Sequence, residues 1–77
     1  MAKVKIYSTP TCPYCRMAKE YLKNNKIDYD DYDVAEDESK LKEMVNKSHQ
    51  MGVPVIDVDG QIIVGFDRAL LAKLLHI

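Results

Sequence analysis

The sequence has 77 residues, of which 47% are apolar, and its 11 basic and 12 acidic side chains give a formal net charge of -1. A chain of this length forms at most one compact domain, so we expect a single domain over residues 1–77. The balanced charge argues against nucleic-acid binding, which requires a strongly positive surface. Long apolar runs and a secretory signal are both missing, so we expect a cytoplasmic protein without membrane association.

Apolar spacing predicts the first three elements. Residues 3–7 alternate polar with apolar side chains, which is typical of a strand, and lead into a loop. Residues 13–25 show helical spacing, and Pro13 suits a first helical turn, where its missing N–H costs nothing. Residues 27–34 alternate imperfectly, and their four aspartates favour an edge strand. The apolar positions of the helix are Tyr14, Met17, Ala18, Tyr21 and Leu22.

A second helix follows an acidic stretch. Residues 35–39 open this helix, Asp37 is its expected N-cap, and Gly52 ends the segment. The expected inner face consists of Leu41, Met44, Val45 and Ser48.

The last third of the chain predicts a hairpin and a final helix. Residues 53–58 and 61–64 form strands joined by Asp59-Gly60, a pair that tolerates the positive φ of a tight hairpin turn. Asp67 is the expected cap of the last helix. The inner face of that helix is expected to be Leu70, Leu71, Leu74 and Leu75.

The predicted order is therefore β-α-β-α-β-β-α, an α/β fold. A helix joins the first two strands, which implies a right-handed crossover and parallel pairing, whereas the last two strands are hairpin neighbours. We expect a mixed four-stranded sheet covered by three helices, with Tyr7 and Met44 in its core. No sequence feature demands a second chain, so a monomer is expected.

Two cysteines, Cys12 and Cys15, stand at the start of the first predicted helix. They are too few and too close to staple a secreted domain, so we expect their pairing to be chemical. Unpaired N–H groups and the helix dipole stabilise a thiolate at Cys12, and Cys15 lies one turn further along the same face. The motif therefore predicts dithiol–disulfide exchange, with Cys12 as nucleophile and Cys15 as resolving thiol, without a bound cofactor or metal.

Four segments carry a family resemblance: Ile6-Tyr7-Ser8-Thr9-Pro10-Thr11, Cys12-Pro13-Tyr14-Cys15, Val53-Pro54 and Gly65-Phe66-Asp67. On these segments the chain resembles the glutaredoxin family along essentially its whole length. The resemblance implies a thioredoxin fold, with Pro54 in a cis peptide bond facing the cysteines, although local sequence alone favours a trans bond. It also implies that the backbone of Val53 pairs with the cysteinyl group of a substrate. The other implied substrate- and glutathione-binding residues are Thr11, Pro13, Tyr14, Gly65, Phe66 and Asp67.

The sequence departs from the glutaredoxin pattern at two positions that contact glutathione in that family. Thr9 stands where Lys or Arg is frequent, and Val64-Gly65 replaces a double glycine. The pair Gly65-Phe66 is also similar to that of redoxins that donate electrons to ribonucleotide reductase and are reduced by thioredoxin reductase. The resemblance thus implies an oxidoreductase for protein or small disulfides, with either glutathione as co-substrate or thioredoxin reductase as partner.

Other interpretations of these residues stay open. A Cys-x-x-Cys pair is also half of a zinc site, but His49 and His76 lie far along the chain and are expected on solvated helix faces or ends. Within the resemblance, an iron–sulfur cluster bridging two chains through Cys12 is a further alternative. Tyr14 is expected at the surface beside the disulfide. A row of basic residues is expected mostly in solvent, where it could steer an acidic partner: Arg16, Lys19, Lys23 and Lys26.

Overall fold

The computed structural model describes residues 3–76, which form seven elements in the predicted order. The strands are β1 (Val4–Ser8), β2 (Tyr29–Asp33), β3 (Val55–Val58) and β4 (Gln61–Val64), and the helices are α1 (Pro13–Asn24), α2 (Glu38–Ser48) and α3 (Arg68–Leu75). The strands form one sheet in the order β2-β1-β3-β4. β1 is parallel to β2 and antiparallel to β3, which is antiparallel to β4. The predicted mixed sheet with three helices is confirmed.

The core lies in two layers, one on each face of the sheet. Val4 and Ile6 of β1 belong to the layer covered by α1 and α3. Tyr7 of β1 and Val55 of β3 belong to the other layer, where they pack with Met44 of α2. Burying one large apolar side chain stabilises a fold by about 1.5–3 kcal/mol, so both layers hold the central strands in place. The buried residues of α1 and α3 in the first layer are Ala18, Leu22, Leu71 and Leu75.

Side chains at the predicted positions set the helix starts and the hairpin. Asp37 accepts a hydrogen bond from the Lys40 N–H at 3.1 Å, and Asp67 accepts one from the Leu70 N–H at 3.1 Å. Both caps are therefore confirmed. Asp59 and Gly60 have φ of 51° and 91°, as a tight hairpin turn requires. None of the helices within residues 3–76 is long and apolar enough to cross a membrane.

Some predicted boundaries are wrong by a few residues. β3 begins at Val55 rather than at residue 53, because Pro54 has no N–H to give to the ladder. α2 ends at Ser48, well before Gly52. The left-handed backbone of His49 (φ 60°) stops the helix, and its N–H bonds the last turn. β1 ends one residue later than predicted, and β2 is shorter than the predicted 27–34 although it lies at the sheet edge as expected.

Leu70, predicted on the inner face of the last helix, is exposed, and so is Met17, one of the apolar positions of the first helix. Met17 is 47% exposed and Leu70 is 37% exposed. Each precedes a buried residue by one position, Ala18 and Leu71 respectively, and successive residues of a helix are about 100° apart. Burial of the second residue therefore turns the first outward.

A polar cluster ties α2 to the sheet. The Tyr7 hydroxyl donates to Glu43 and accepts from the Lys47 ammonium at 3.0 Å. Lys47 also pairs with the Asp57 carboxylate at 2.8 Å, and Asp57 is only 7% exposed. Burial raises the pKa of Asp57, but hydrogen bonds from Lys47 and from the Gly60 N–H outweigh it and hold the pKa below its ordinary value. The cluster therefore stabilises the fold while this carboxylate is ionised.

We expect Asp57→Asn to lower the free energy of unfolding by about 1–3 kcal/mol at neutral pH, because Lys47 loses its carboxylate. Since folding depresses this pKa, the contribution is present above the ordinary value of about 3.9 and is lost as pH falls through the lower folded value. Urea unfolding should therefore separate wild type from variant at neutral pH and bring them together in acid. The exposed Lys42→Met on the same helix is the control. An equal destabilisation at neutral and acid pH would contradict the role of the pair.

Candidate active site

The first cysteine lies where the loop after β1 meets α1. Cys12 is the N-cap of α1, and its Sγ accepts a hydrogen bond from the Cys15 N–H at 3.3 Å. Pro13 occupies the start of the helix, as predicted, where no intrahelical N–H is required. The Cys12 sulfur therefore faces the unpaired N–H groups and the positive end of the helix dipole, which favour negative charge.

The segment before β3 lies against this sulfur. The Cys12 thiol donates to the Val53 carbonyl oxygen across 3.8 Å, and the Val53–Pro54 peptide bond is cis. The Gly65 N–H in turn donates to the Pro54 carbonyl at 2.8 Å, so the end of β4 is fixed to the same segment. Three parts of the chain that are distant in sequence thus meet beside one thiol.

The two cysteines have unequal surroundings. Both are free thiols, but Cys12 is half-buried whereas Cys15 is 1% exposed. Burial raises the pKa of Cys15 to about 12, the hydrogen bond with Cys12 adds to this, and a backbone hydrogen bond from Thr9 opposes it. At neutral pH Cys15 therefore keeps its proton, and Cys12 is the thiol that a reactant can reach.

Residues of the motif surround Cys12 at the protein surface. Thr11 and Pro13 are exposed, and Tyr14 is 62% exposed, so the tyrosine ring lies in solvent rather than in the core, as expected. These side chains can contact a molecule bound at the Cys12 sulfur.

The segment after β4 is placed in two different ways. Gly65 joins the site through its hydrogen bond to Pro54. Phe66 instead packs on Tyr21 of α1, with ring centroids 6.0 Å apart, and Asp67 caps α3. Among residues 3–76 the one hydrogen bond to the Asp67 side chain comes from its own helix, and neither cysteine is hydrogen-bonded to this carboxylate.

A groove that sequence reasoning missed opens beside Cys12. It holds about 220 Å³, and its walls include Thr9, Tyr29 and three basic residues of α1. Those residues are Arg16, Lys19 and Lys23. This row of basic residues was predicted from the sequence, and its spacing of four, seven and eleven residues after Cys12 is that of one helix face. The closure of the row into a groove by Tyr29 was not predicted.

The cysteines have no companions for a metal within the described chain. Across residues 3–76, no three His, Cys, Asp or Glu side chains form a group that could hold a metal ion. His49 and His76 are exposed residues at the ends of α2 and α3, as predicted.

The fold and the paired thiols define a small redox protein, and comparisons with known proteins give its family. The sequence profile of the glutaredoxin family matches residues 4–63. The chain is 56% identical over 73 residues to an uncharacterised glutaredoxin-like 8.6 kDa protein in the rubredoxin operon of Clostridium pasteurianum, covering 95% of this chain and 97% of the relative. It is 37% identical over 67 residues to glutaredoxin 3 of Escherichia coli strain K12, covering 87% and 81%.

A solved structure supports the same assignment. The crystal structure of a point mutant of a thioredoxin-like protein matches with a TM-score of 0.93 and 32% identity, covering 100% of this chain and 99% of the other. The protein therefore belongs to the glutaredoxin family and has the thioredoxin-like fold that the sequence resemblance implied.

We expect iodoacetamide at about pH 8 to modify Cys12 more than about tenfold faster than Cys15, because Cys15 is buried and its raised pKa keeps its thiol protonated at this pH. Peptide mapping by mass spectrometry measures both rates. Reaction at Cys15 should rise as pH approaches 12. The protein in denaturant, where both cysteines are solvated, is the control. Comparable rates in the folded protein would contradict the difference in environment.

Proposed function

We propose that the protein is a glutaredoxin-like thiol–disulfide oxidoreductase that reduces protein or low-molecular-weight disulfides through Cys12 and Cys15. The observation that carries this proposal is that one thiol is accessible and the other is buried. The accessible Cys12 sulfur caps α1. Cys15 lies one turn further along the helix, its thiol is buried, and its backbone N–H donates to the Cys12 sulfur. Nucleophile and resolving thiol require these two environments.

The first step joins the protein to its substrate. The Cys12 thiolate attacks one sulfur of the substrate disulfide, a Cys12–substrate bond forms, and the substrate disulfide bond breaks. The leaving thiolate takes a proton from solvent. Cys12 is the attacking group because its sulfur is accessible at the helix start, whereas Cys15 is buried and its pKa is raised.

The second step releases the substrate. Cys15 gives its proton to solvent and attacks the Cys12 sulfur, so the Cys12–Cys15 disulfide forms and the second substrate thiol leaves. Once Cys12 is in a mixed disulfide, its charge no longer opposes ionisation of Cys15, which removes one cause of the raised pKa. Two electrons have then passed from the dithiol to the substrate.

The contacts around Cys12 indicate which residues bind the reacting cysteine of a substrate. The Val53 backbone, next to the Cys12 sulfur, is suited to pair with the cysteinyl backbone of a substrate, and Pro54 and Gly65 hold it in place. The exposed motif residues Thr11, Pro13 and Tyr14 complete the part of the substrate-binding surface next to Cys12. We also assign Phe66 and Asp67 to the substrate-binding surface, by resemblance to the family. The contact of Phe66 with Tyr21 and the capping of α3 by Asp67 hold these two residues in place.

We expect Cys12→Ser to lower disulfide reduction by at least about a hundredfold, because the attacking sulfur is lost. Cys15→Ser should instead accumulate a mixed disulfide with substrate, since nothing displaces it. Intact-mass spectrometry detects that adduct. Met17→Ser, an exposed change on the same helix, is the control and should keep full exchange. Retained activity in Cys12→Ser would show that another group is the nucleophile.

The reductant has two candidates. Glutathione serves as co-substrate in the first, and thioredoxin reductase reduces the Cys12–Cys15 disulfide in the second, which makes the protein a dedicated electron donor. Two observations favour the second candidate: uncharged Thr9 stands where the family often has a basic residue, and the Val64 side chain, 54% exposed, stands in place of a glycine.

We expect NADPH consumption with a generic disulfide to distinguish the two reductants. Because the glutathione-contacting positions are altered, turnover with thioredoxin reductase should exceed turnover with glutathione and glutathione reductase by about tenfold or more. The Cys12→Ser variant gives the background rate for both mixtures. Faster turnover through glutathione would assign glutathione as the co-substrate, and turnover with neither would contradict the proposed enzyme activity.

A further inference from the structure

The walls of the groove beside Cys12 contain more basic than acidic side chains. Lys19 is paired with Asp31 at 2.9 Å, and Glu20 adds one acidic group to the walls. Arg16 and Lys23 are exposed, and within residues 3–76 neither takes part in an ion pair. The groove therefore presents Arg16 near the thiol and Lys23 farther along the helix, with Glu20 as the acidic side chain in its walls.

The two cations stand at different distances from the reacting sulfur. A helix rises about 1.5 Å per residue, so Arg16 lies about 6 Å beyond Cys12 along the axis and Lys23 about 16 Å beyond it. An extended peptide advances about 3.4 Å per residue. A substrate cysteine held at Cys12 would therefore bring its second neighbour to Arg16 and its fifth neighbour to Lys23.

The size of the groove fits part of a polypeptide. Its 220 Å³ equals the space of about seven waters, which holds a carboxylate side chain and the backbone that carries it. The Tyr29 ring supplies an apolar surface in the same groove. A side chain there can bury its stem on the ring and place its carboxylate on the cations.

We propose that this groove selects protein disulfides whose reacting cysteine is followed or preceded by acidic residues about two and about five positions away. The proposal rests on the proposed disulfide exchange and names its substrate class. Arg16 binds the nearer carboxylate and Lys23 the farther one. A small carboxylated disulfide, such as oxidised glutathione, reaches Arg16 but is too short for Lys23.

The test uses the reduced wild-type protein and three peptide disulfides that differ only at those two positions, with Asp, Asn or Lys. The second-order rate constant of disulfide exchange is measured by chromatography at low and at about 0.5 M salt. The Asp peptide should react about five- to tenfold faster than the Asn peptide at low salt, with the Lys peptide slowest. Salt should remove most of the difference, because exposed charges are screened.

Variants assign the effect to the groove. Arg16→Gln and Lys23→Gln should each slow the Asp peptide about two- to fivefold and leave the Asn peptide unchanged. Lys73→Gln makes the same charge change on α3 and should change neither rate. With oxidised glutathione, Arg16→Gln should slow exchange and Lys23→Gln should not.

Three outcomes would overturn the inference. Equal rates for the Asp and Asn peptides would show that the groove does not select carboxylates. Equal slowing of all peptides by Arg16→Gln would mean that Arg16 acts on the Cys12 sulfur rather than on the substrate. Equal slowing by Lys73→Gln would mean that net charge is responsible. If the wild type exchanged with no peptide at all, the proposed enzyme activity itself would fail, which is a separate result.

Discussion

The register between β1 and β3 is the constraint on which the thiol site depends. Tyr7 pairs with Val55 in an antiparallel ladder, so the chain that leaves β1 and the chain that enters β3 lie at the same end of the sheet. Cys12 and the Val53 carbonyl meet there. A slip of one residue would turn the buried side chains of β3 to the wrong faces, so core packing holds the register. The register therefore keeps the loop that carries Cys12 beside the segment that carries Val53.

A second link holds the helix that carries the cysteines. The buried Ser8 hydroxyl at the end of β1 donates to Asp31 of β2 at 3.0 Å, and Asp31 pairs with Lys19 of α1. The link runs from the central strand through the edge strand to the first helix. It complements the apolar packing of Ala18 and Leu22, which orients α1 on the sheet.

Sequence patterns correctly predicted the features that depend on interactions between neighbouring residues in the chain. Caps at Asp37 and Asp67, the turn at Asp59-Gly60 and the helix start at Pro13 depend on a few adjacent residues, and each was predicted. The cis bond before Pro54 was expected only through family resemblance, because local sequence favours trans.

Features that depend on tertiary contacts could not be predicted in this way. The contacts of Lys47 with Asp57 and Tyr7 join three elements, and no spacing in the sequence predicts them. The groove beside Cys12 needs Tyr29 of another element as a wall. The outward turn of Leu70 follows only once Leu71 is known to be buried, since both are equally apolar.

The polar cluster under α2 has a consequence for how the molecule opens. α2 is held by the smaller apolar layer and the Lys47–Asp57 pair, whereas α1 and α3 share the larger apolar layer on the opposite face, to which α1 adds the Lys19–Asp31 pair. Segments with fewer apolar contacts open at lower free energy, so acid or salt should release α2 first in native-state hydrogen exchange. The cysteine pair would then remain on a folded unit of β1, α1, β3 and α3.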